Sequence, residues 1–509
     1  MTSPSLPQLR ELAWPALVLL LFAGLVLGHV SLPLGGDQSL YLYGAKELSD
    51  GAVLYKDFWD LKSPGVYFFY LLAGSIFSFS VAGLHIVEAL WLGLAAWLAL
   101  RLARGATTNG WIASLAPLLT IGALFIAATP WHLTQPDGLV ILPIMVGAWA
   151  LSAGAHTDEV PAWRFVLAGA GAALAGIFVT AMILVVLGML ATLVAFTWYR
   201  RGRMSSRTVR RCALGTVAGL SIPIGILFVV FLWQGGSQEI AWTMLSYPFA
   251  ARAVFDYKLP MLAHSVLWFY GASVCLLPAI AVGAVVTLQR LLRKERTALP
   301  GLLMIAWLAF GGVAVLLQYH YSWEFHFNQF FVPMGVLAVI GVDEAVAQFR
   351  QNSARAVCCA VLLVTLTFPA LAVKKLAALD SFSDPSPAFQ SSVRAGMAGA
   401  VPQDSLFVFG DPRILLAAGR KQAVVHNGWA LEVMIDQQWL SFSQSLRAAQ
   451  PTWLYLHSSY RPLVQEKAPE LSEWMSAEYS PTCTDKFDGT WMRRTTDAPP
   501  AVTESRHDC

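Results

Sequence analysis

Charge is what this chain has least of. Only 13% of its 509 residues are Asp, Glu, Lys or Arg, while 56% are hydrophobic; soluble domains usually carry about 25% charged residues. That scarcity excludes a soluble globular protein. Short alternating segments of the kind that build a membrane β-barrel are missing too, so the apolar runs read as helices. The six cysteines show no metal-ligand spacing. Cys212, Cys275, Cys358 and Cys359 lie in or beside apolar segments and read as small core residues. Cys483 and Cys509 fall in the polar tail, where an oxidising compartment would let them pair. The apolar run from Ala13 to Leu32 is too long for a cleavable signal and has no clear cleavage site. No internal repeat of the kind that marks transporters is present, and the glycines of GDPRILLAAGR lack a phosphate-loop spacing. The formal net charge of +3 singles out no partner, and no nucleic acid is expected.

What the chain has instead is a series of apolar runs of roughly 17–25 residues, the length that crosses a bilayer. They fall near 13–33, 82–103, 111–129, 138–153, 165–178, 181–199, 209–233, 263–289, 299–318, 328–347 and 355–373. The fold class is therefore a polytopic α-helical membrane protein of about eleven transmembrane helices by the same length rule. Basic residues cluster at Arg101 and Arg104, at Arg200, Arg201, Arg203, Arg207, Arg210 and Arg211, at Arg290, Arg293, Lys294 and Arg296, and at Arg350 and Arg355. Lys and Arg concentrate in cytoplasmic loops. These loops are thus expected inside, as is the N-terminus, with the C-terminus outside.

Residues 64–80, PGVYFFYLLAGSIFSFS, are nearly long enough to cross. Crossing would place Arg101 and Arg104 outside and invert every later basic loop. The segment is read instead as an aromatic-rich juxtamembrane helix on the outer face, with Ser63 as N-cap and Pro64 as first helical residue. Parity also demands that 165–199 form two helices meeting near Val179–Thr180. The outer segments are then 34–81, 130–137, 234–262 and 319–327, plus the tail. From about Asp380 the linker-like SFSDPSPAF leads into short apolar runs at 405–410 and 452–457, which read as strands. Helical patterns follow near 387–399, 431–449 and 463–475. Residues 1–379 are expected to form the transmembrane domain, and 380–509 a small extracytoplasmic α/β domain of ordinary domain size.

The stretch 35–65, GGDQSLYLYGAKELSDGAVLYKDFWDLKSPG, stands out. An acid just beyond a membrane helix, followed by a lysine–proline turn, suits chemistry at a lipid headgroup. Group transfer from a lipid-linked phosphate needs a base for the acceptor hydroxyl, cations or donors for the departing phosphate, and an apolar groove. Asp37 is the candidate base, because Gly35 and Gly36 let the backbone turn sharply there; it could equally cap a helix from Gln38 to Leu48. Asp137 is a second acid at a helix start. It reads either as the N-cap of helix 138–153 or as a metal ligand or acceptor-positioning group facing Asp37. Asp57 and Asp60 read as solvated charges or as partners of Lys56 and Lys62. Outer cations are scarce under the positive-inside bias. Lys62 and Arg252 are assigned to phosphate contact, whereas Lys56 and Lys258 are expected to snorkel. In QYHYSWEFHFNQFF, Glu324 could pair with His320 at i,i+4 in a helix, and His326 is a further phosphate-binding candidate. His85 and Glu88, one turn apart near the end of a span, read as a structural pair.

DQSLYLYGAKELSDGAVLYKDFWDLKSPGVYF resembles the first outer loop of the C-type superfamily of integral membrane glycosyltransferases. It is similar to that of bacterial dolichyl-phosphate-mannose protein mannosyltransferase and aminoarabinose transferase-like enzymes. QPDG at Asp137, FHFNQFFVPMGVLAVIG and DSLFVFGDPRILLAAGR extend the likeness over most of the chain. The resemblance implies sugar transfer from a polyprenyl-phosphate donor to a hydroxyl of a lipid, glycan or protein acceptor at the outer membrane face. The anomeric centre would invert, with Asp37 as catalytic carboxylate and Lys62 near the donor phosphate. Ser63 departs from the family's lysine–proline–proline pattern, and GIFVTAMIL lacks a basic residue often found there. Dependence on a divalent metal varies within the superfamily and stays open. The competing reading is a polyprenyl-lipid transporter or flippase, which the nearly uncharged spans disfavour.

Overall fold

A computed structural model describes residues 6–157, 160–202, 205–256, 258–318, 323–350, 355–382 and 384–497. Among the described residues, eight helices are long and apolar enough to cross a membrane by length and composition. They are Val81–Ala106, Gly110–Ala127, Pro136–Ala155, Thr180–Arg201, Ser206–Gln234, Leu259–Leu292, Ala298–Leu317 and Glu324–Phe349. Helices Leu6–Gly28, Ala162–Phe178 and Arg355–Ala378 take up the other three apolar segments read from the sequence. The chain is a multi-pass membrane protein. Helix Ala162–Phe178 ends where Val179 turns extended at φ −147°, and a single 3-10 turn, Thr180–Met182, starts the next helix. Thr180 and the β-branched Val179 favour such a break because their χ1 freedom is restricted in a helix.

The chain divides into two compact units. One, here the helical unit, holds Met1–Leu32, Val81–Leu227 and Tyr257–Phe382; the other, the mixed unit, holds Pro33–Ser80, Phe228–Asp256 and Ser383–Cys509. In the helical unit, helices Leu277–Leu292 and Phe331–Arg350 cross with their backbones almost touching. A Cβ added at Gly283 would lie 1.9 Å from the Leu337 carbonyl oxygen, and one at Gly341 1.9 Å from that of Ala279. In lipid the drive for helices to associate comes from such close packing, which only small residues allow. At the far end of helix Val81–Ala106 the Asp343 carboxylate accepts from the Thr108 and Asn109 amides at 2.7 and 3.2 Å, fastening the turn into Gly110–Ala113.

The mixed unit is built on a four-stranded sheet in the order β1-β2-β4-β3. Its strands are β1 (Leu406–Phe409), β2 (Trp453–His457), β3 (Tyr479–Thr484) and β4 (Gly489–Arg494). β1 runs parallel to β2 with Leu406 opposite Trp453, and the other two pairings are antiparallel. All four residues of β1 are buried, as expected of a strand covered on both faces. Helix Asp436–Ala449 lays Phe442 against Phe407 and Phe409, at centroid distances of 5.3 and 5.9 Å. The helical pattern read near 463–475 is two helices, Arg461–Lys467 and Pro469–Glu478. Pro469 disfavours a helical conformation at Ala468, and the chain breaks there. The same unit contains helices Gly36–Ser49, Pro64–Phe77 and the amphipathic Tyr247–Val254. Ser63 sits at the N-cap position and Pro64 at the first helical position, as expected.

The cysteines divide by environment. Cys212 is buried, but Cys359 is exposed on its helix rather than packed in a core. Cys483 is disulfide-bonded; Cys509 lies outside the described residues.

Candidate functional site

The first cluster lies in the mixed unit around Asp37. The helix that carries it begins at Gly36, with Gly35 as N-cap, so Asp37 stands in the first turn and is not the cap that the sequence offered as an alternative. An acid in this turn faces the positive end of the helix dipole. Asp37 is half-buried, and its Oδ1 accepts from the indole Nε1–H of Trp429 at 2.7 Å. Trp429 lies flat against the helix start because residue 36 has no side chain: a Cβ there would come within 2.4 Å of the indole Cζ2.

Loop 50–63 carries Lys62. It folds on its own hydrogen bonds: Val53 N–H donates to Asp57 Oδ2 at 2.8 Å, and the Tyr55 hydroxyl donates to the Lys62 carbonyl at 2.7 Å. Asp57 is exposed, matching the reading of a solvated loop charge. Of the two readings of Asp60, the solvated one fails: it is 1% exposed and its Oδ2 accepts from the Tyr67 hydroxyl at 2.8 Å. Burial pushes the Asp60 carboxyl up, while Lys62 and the Tyr67 hydroxyl pull it back and Asp37 adds a smaller push upward. Asp60 is thus the group on whose charge both Asp37 and Lys62 act. The sequence hid this role, because an acid in a polar loop gives no sign of burial; Trp59 beside it and Tyr67 one helix on were the only hints. Arg252 is exposed in the last turn of helix Tyr247–Val254, where a cation suits the negative end of the dipole.

Segments from both ends of the chain hold this cluster together. Trp59 N–H donates to the Val425 carbonyl at 2.9 Å, and Asn427 Nδ2 donates to the Trp59 carbonyl at 2.9 Å. The Tyr43 hydroxyl accepts from the Gln422 amide at 2.7 Å. Tyr247, whose hydroxyl donates to the Val433 carbonyl at 2.6 Å, packs edge-on against Trp59 at 5.6 Å. The His426 ring lies 5.6 Å from Trp59, and burial holds its imidazole at about 4, well below the ordinary 6.5.

The second cluster lies in the helical unit around Asp137. Here too the acid is not the N-cap; Gln135 is, and Asp137 is the second residue of helix Pro136–Leu139. Asp137 Oδ2 meets His326 Nδ1 at 3.1 Å, and Oδ1 accepts from Gln318 Nε2 at 3.3 Å. Asp137 and His326 are both buried, so the structure joins two of the residues singled out in the sequence. His326 stands on a 3-10 helix, Glu324–Phe330, not on an α-helix. Glu324 pairs with His264 at 3.1 Å; His320, its expected partner, lies outside the described residues. The turn before Asp137 is pinned at Thr134, whose φ of +49° is unusual for a β-branched residue. Its N–H donates to the Glu88 carboxylate, and Glu88 also meets His85 Nδ1 at 3.2 Å. His85 and Glu88 are therefore a structural pair, as read. His132 stacks on Trp268 at 4.5 Å, and Asn328 Nδ2 donates to its carbonyl at 2.8 Å.

Among the described residues no three His, Cys, Asp or Glu side chains converge to hold a metal ion. What the two clusters offer is a half-exposed carboxylate with one oxygen fixed and a cation nearby in one unit. The other unit offers a buried, satisfied carboxylate–imidazole pair.

No family model and no curated protein matches the chain. Among solved structures it is similar to ArnT from Cupriavidus metallidurans. Against the crystal structure of ArnT bound to undecaprenyl phosphate the TM-score is 0.61 at 15% identity, covering 96% of this chain and 99% of that one. Against ArnT in the apo state it is 0.60 at 13% identity, covering 98% and 100%. At these identities the likeness is one of fold, and it runs the length of both chains.

Proposed function

We propose that this protein is a membrane glycosyltransferase that takes its sugar from a polyprenyl-phosphate-linked donor on the noncytoplasmic side. The observation that carries the reading is the end-to-end fold similarity to ArnT, crystallised with undecaprenyl phosphate. The first-loop residues that resemble C-type glycosyltransferases supply the same conclusion independently. The reaction needs an acceptor hydroxyl to attack the anomeric carbon as the bond from that carbon to the phosphate oxygen breaks. The polyprenyl phosphate leaves with the electron pair, the sugar inverts, and the hydroxyl proton passes to a base. Asp37 is that base: it stands at a helix start, half-exposed, with one carboxylate oxygen fixed and the other unbonded among the described residues. Lys62 faces the leaving phosphate, where a cation stabilises the growing charge. Arg252, exposed in the same unit, is assigned to the same phosphate. The disulfide at Cys483 fits an oxidising compartment, in keeping with the mixed unit lying outside.

Mass spectrometry of lipids copurifying with the protein, followed by a transfer assay with the polyprenyl-phosphate sugar so identified, tests this. The expected result is a sugar-phosphate polyprenol that turns over in the wild type and not in Asp37→Asn. Copurification without any polyprenyl phosphate, together with no turnover of such donors, overturns the reading. Full turnover in Asp37→Asn removes Asp37 as the base.

A further inference from the structure

We infer that Trp429 is a positioning residue for the reaction, fixing the Asp37 carboxylate so that only Oδ2 is presented to the acceptor hydroxyl. This rests on the assignment of Asp37 as base. A carboxylate on a short side chain rotates about χ2 over a broad well, so an unrestrained Asp37 would offer either oxygen in many directions. The Trp429 Nε1–H bond to Oδ1, at 2.7 Å, removes that freedom. Oδ2 has no hydrogen bond among the described residues, and the side chain is half-exposed.

Three further features indicate a built arrangement. The indole occupies space that exists only because residue 36 is glycine, with the Cβ clash at 2.4 Å. The Trp429 backbone is held at both ends: its N–H donates to Asn427 Oδ1 at 3.0 Å, and its carbonyl accepts from the Tyr460 hydroxyl at 2.7 Å. Asn427, 1% exposed, in turn donates to the Trp59 carbonyl, so the loop carrying Trp429 is referenced to the loop carrying Lys62. The geometry therefore ties both ends of the transfer, base and phosphate partner, to one rigid turn at 427–430. A carboxylate held within a small angular range of the attacking hydroxyl is what proximity catalysis requires.

The test replaces Trp429 in the full-length protein by 3-benzothienylalanine, which keeps the ring shape and substitutes sulfur for the N–H. Trp429→Phe and Gly36→Ala serve as second variants. A hydrogen bond to a charged group contributes enough that its loss lowers kcat by about tenfold to a hundredfold. The inference expects that loss in the benzothienyl variant, with donor KM and Tm unchanged. Gly36→Ala, which displaces the indole without removing it, is expected to reproduce the kcat loss. A benzothienyl variant with wild-type kcat, alongside an inactive Asp37→Asn, overturns the positioning role and leaves the base standing. A loss confined to KM or to Tm also overturns it, since a structural indole alone would produce that. Full turnover in Asp37→Asn removes the premise, and the inference falls with it.

Discussion

Trp429 and Asp37 are 392 positions apart in the chain, yet the chemistry proposed here depends on the 2.7 Å between them. At the residue scale, the distinction that matters is between charges that are presented and charges that are stored. Asp37 and Lys62 are half-buried, whereas Asp60 and Asp137 are almost wholly buried. In the proposed reaction Lys62 acts on the substrate that brings the phosphate. Lys62→Ala is therefore expected to raise the KM for the polyprenyl-phosphate donor by about tenfold or more, the value of one charge-assisted hydrogen bond. Acceptor KM should be nearly unchanged, and steady-state kinetics with each substrate varied in turn reads the difference. His426 makes a different prediction. Burial holds its folded-state pKa at about 4, below the ordinary 6.5. Between those values the unfolded chain binds a proton that the folded chain refuses. The stability this neutral ring allows is fully present above pH 6.5 and drains as pH falls toward 4, by roughly 3 kcal/mol at the limit. Thermal melting of the purified protein between pH 7.5 and 5 should show the decline, and His426→Leu should flatten it.

At the scale of elements, the helices were legible because hydrocarbon forces the backbone to satisfy its hydrogen bonds locally. Any apolar run of sufficient length must then be a helix, and each of the eleven is one. Their ends were less legible. Asp37 and Asp137 have the side chains of N-caps, but Gly35 and Gln135 take that place, because Gly36 and Pro136 enter the helix one residue earlier than the acid. Strands β3 and β4 gave no signal, since their exposed and part-exposed residues dilute the apolar pattern. How the helices pair is set by small residues rather than by hydrophobicity, since lipid is as apolar as leucine. Gly283→Ala should force apart helices Leu277–Leu292 and Phe331–Arg350, costing about 1–3 kcal/mol as an overpacked contact. The control is Gly271→Ala, where a Cβ meets nothing within 4 Å. Thermal stability in detergent should fall for the first and hold for the second.

At the scale of the whole molecule, the mixed unit is drawn from three stretches of chain: Pro33–Ser80, Phe228–Asp256 and Ser383–Cys509. The composition shift near Asp380 gives the start of the last stretch. It gives no hint that the loop with Asp37 and Lys62 belongs to the same unit. A consequence is that a chain ended after Phe382 loses more than a C-terminal appendage. Loop 53–62 would lose its bonds from Val425 and Asn427, and Asp37 would lose Trp429. Hydrogen exchange of the 53–62 amides is expected to rise sharply in that truncation, with sugar transfer abolished. Wild-type protection of the loop would show that it folds without the C-terminal stretch.

The sequence by itself determined the membrane helices and singled out candidate residues. Scarce charge and long apolar runs dictate membrane helices, and an acid at the start of helix Gly36–Ser49 and a lysine just before helix Pro64–Phe77 single out the candidate site. Only the tertiary structure decided which side chains meet. Asp137 reached His326 across 189 positions, and Asp60, in a polar loop, became buried against the Tyr67 hydroxyl. The physical reason is range. Helix formation and membrane insertion depend on residues within one local window, so they are written locally. A hydrogen bond between two side chains depends on the path of every residue between them, and no local window holds it.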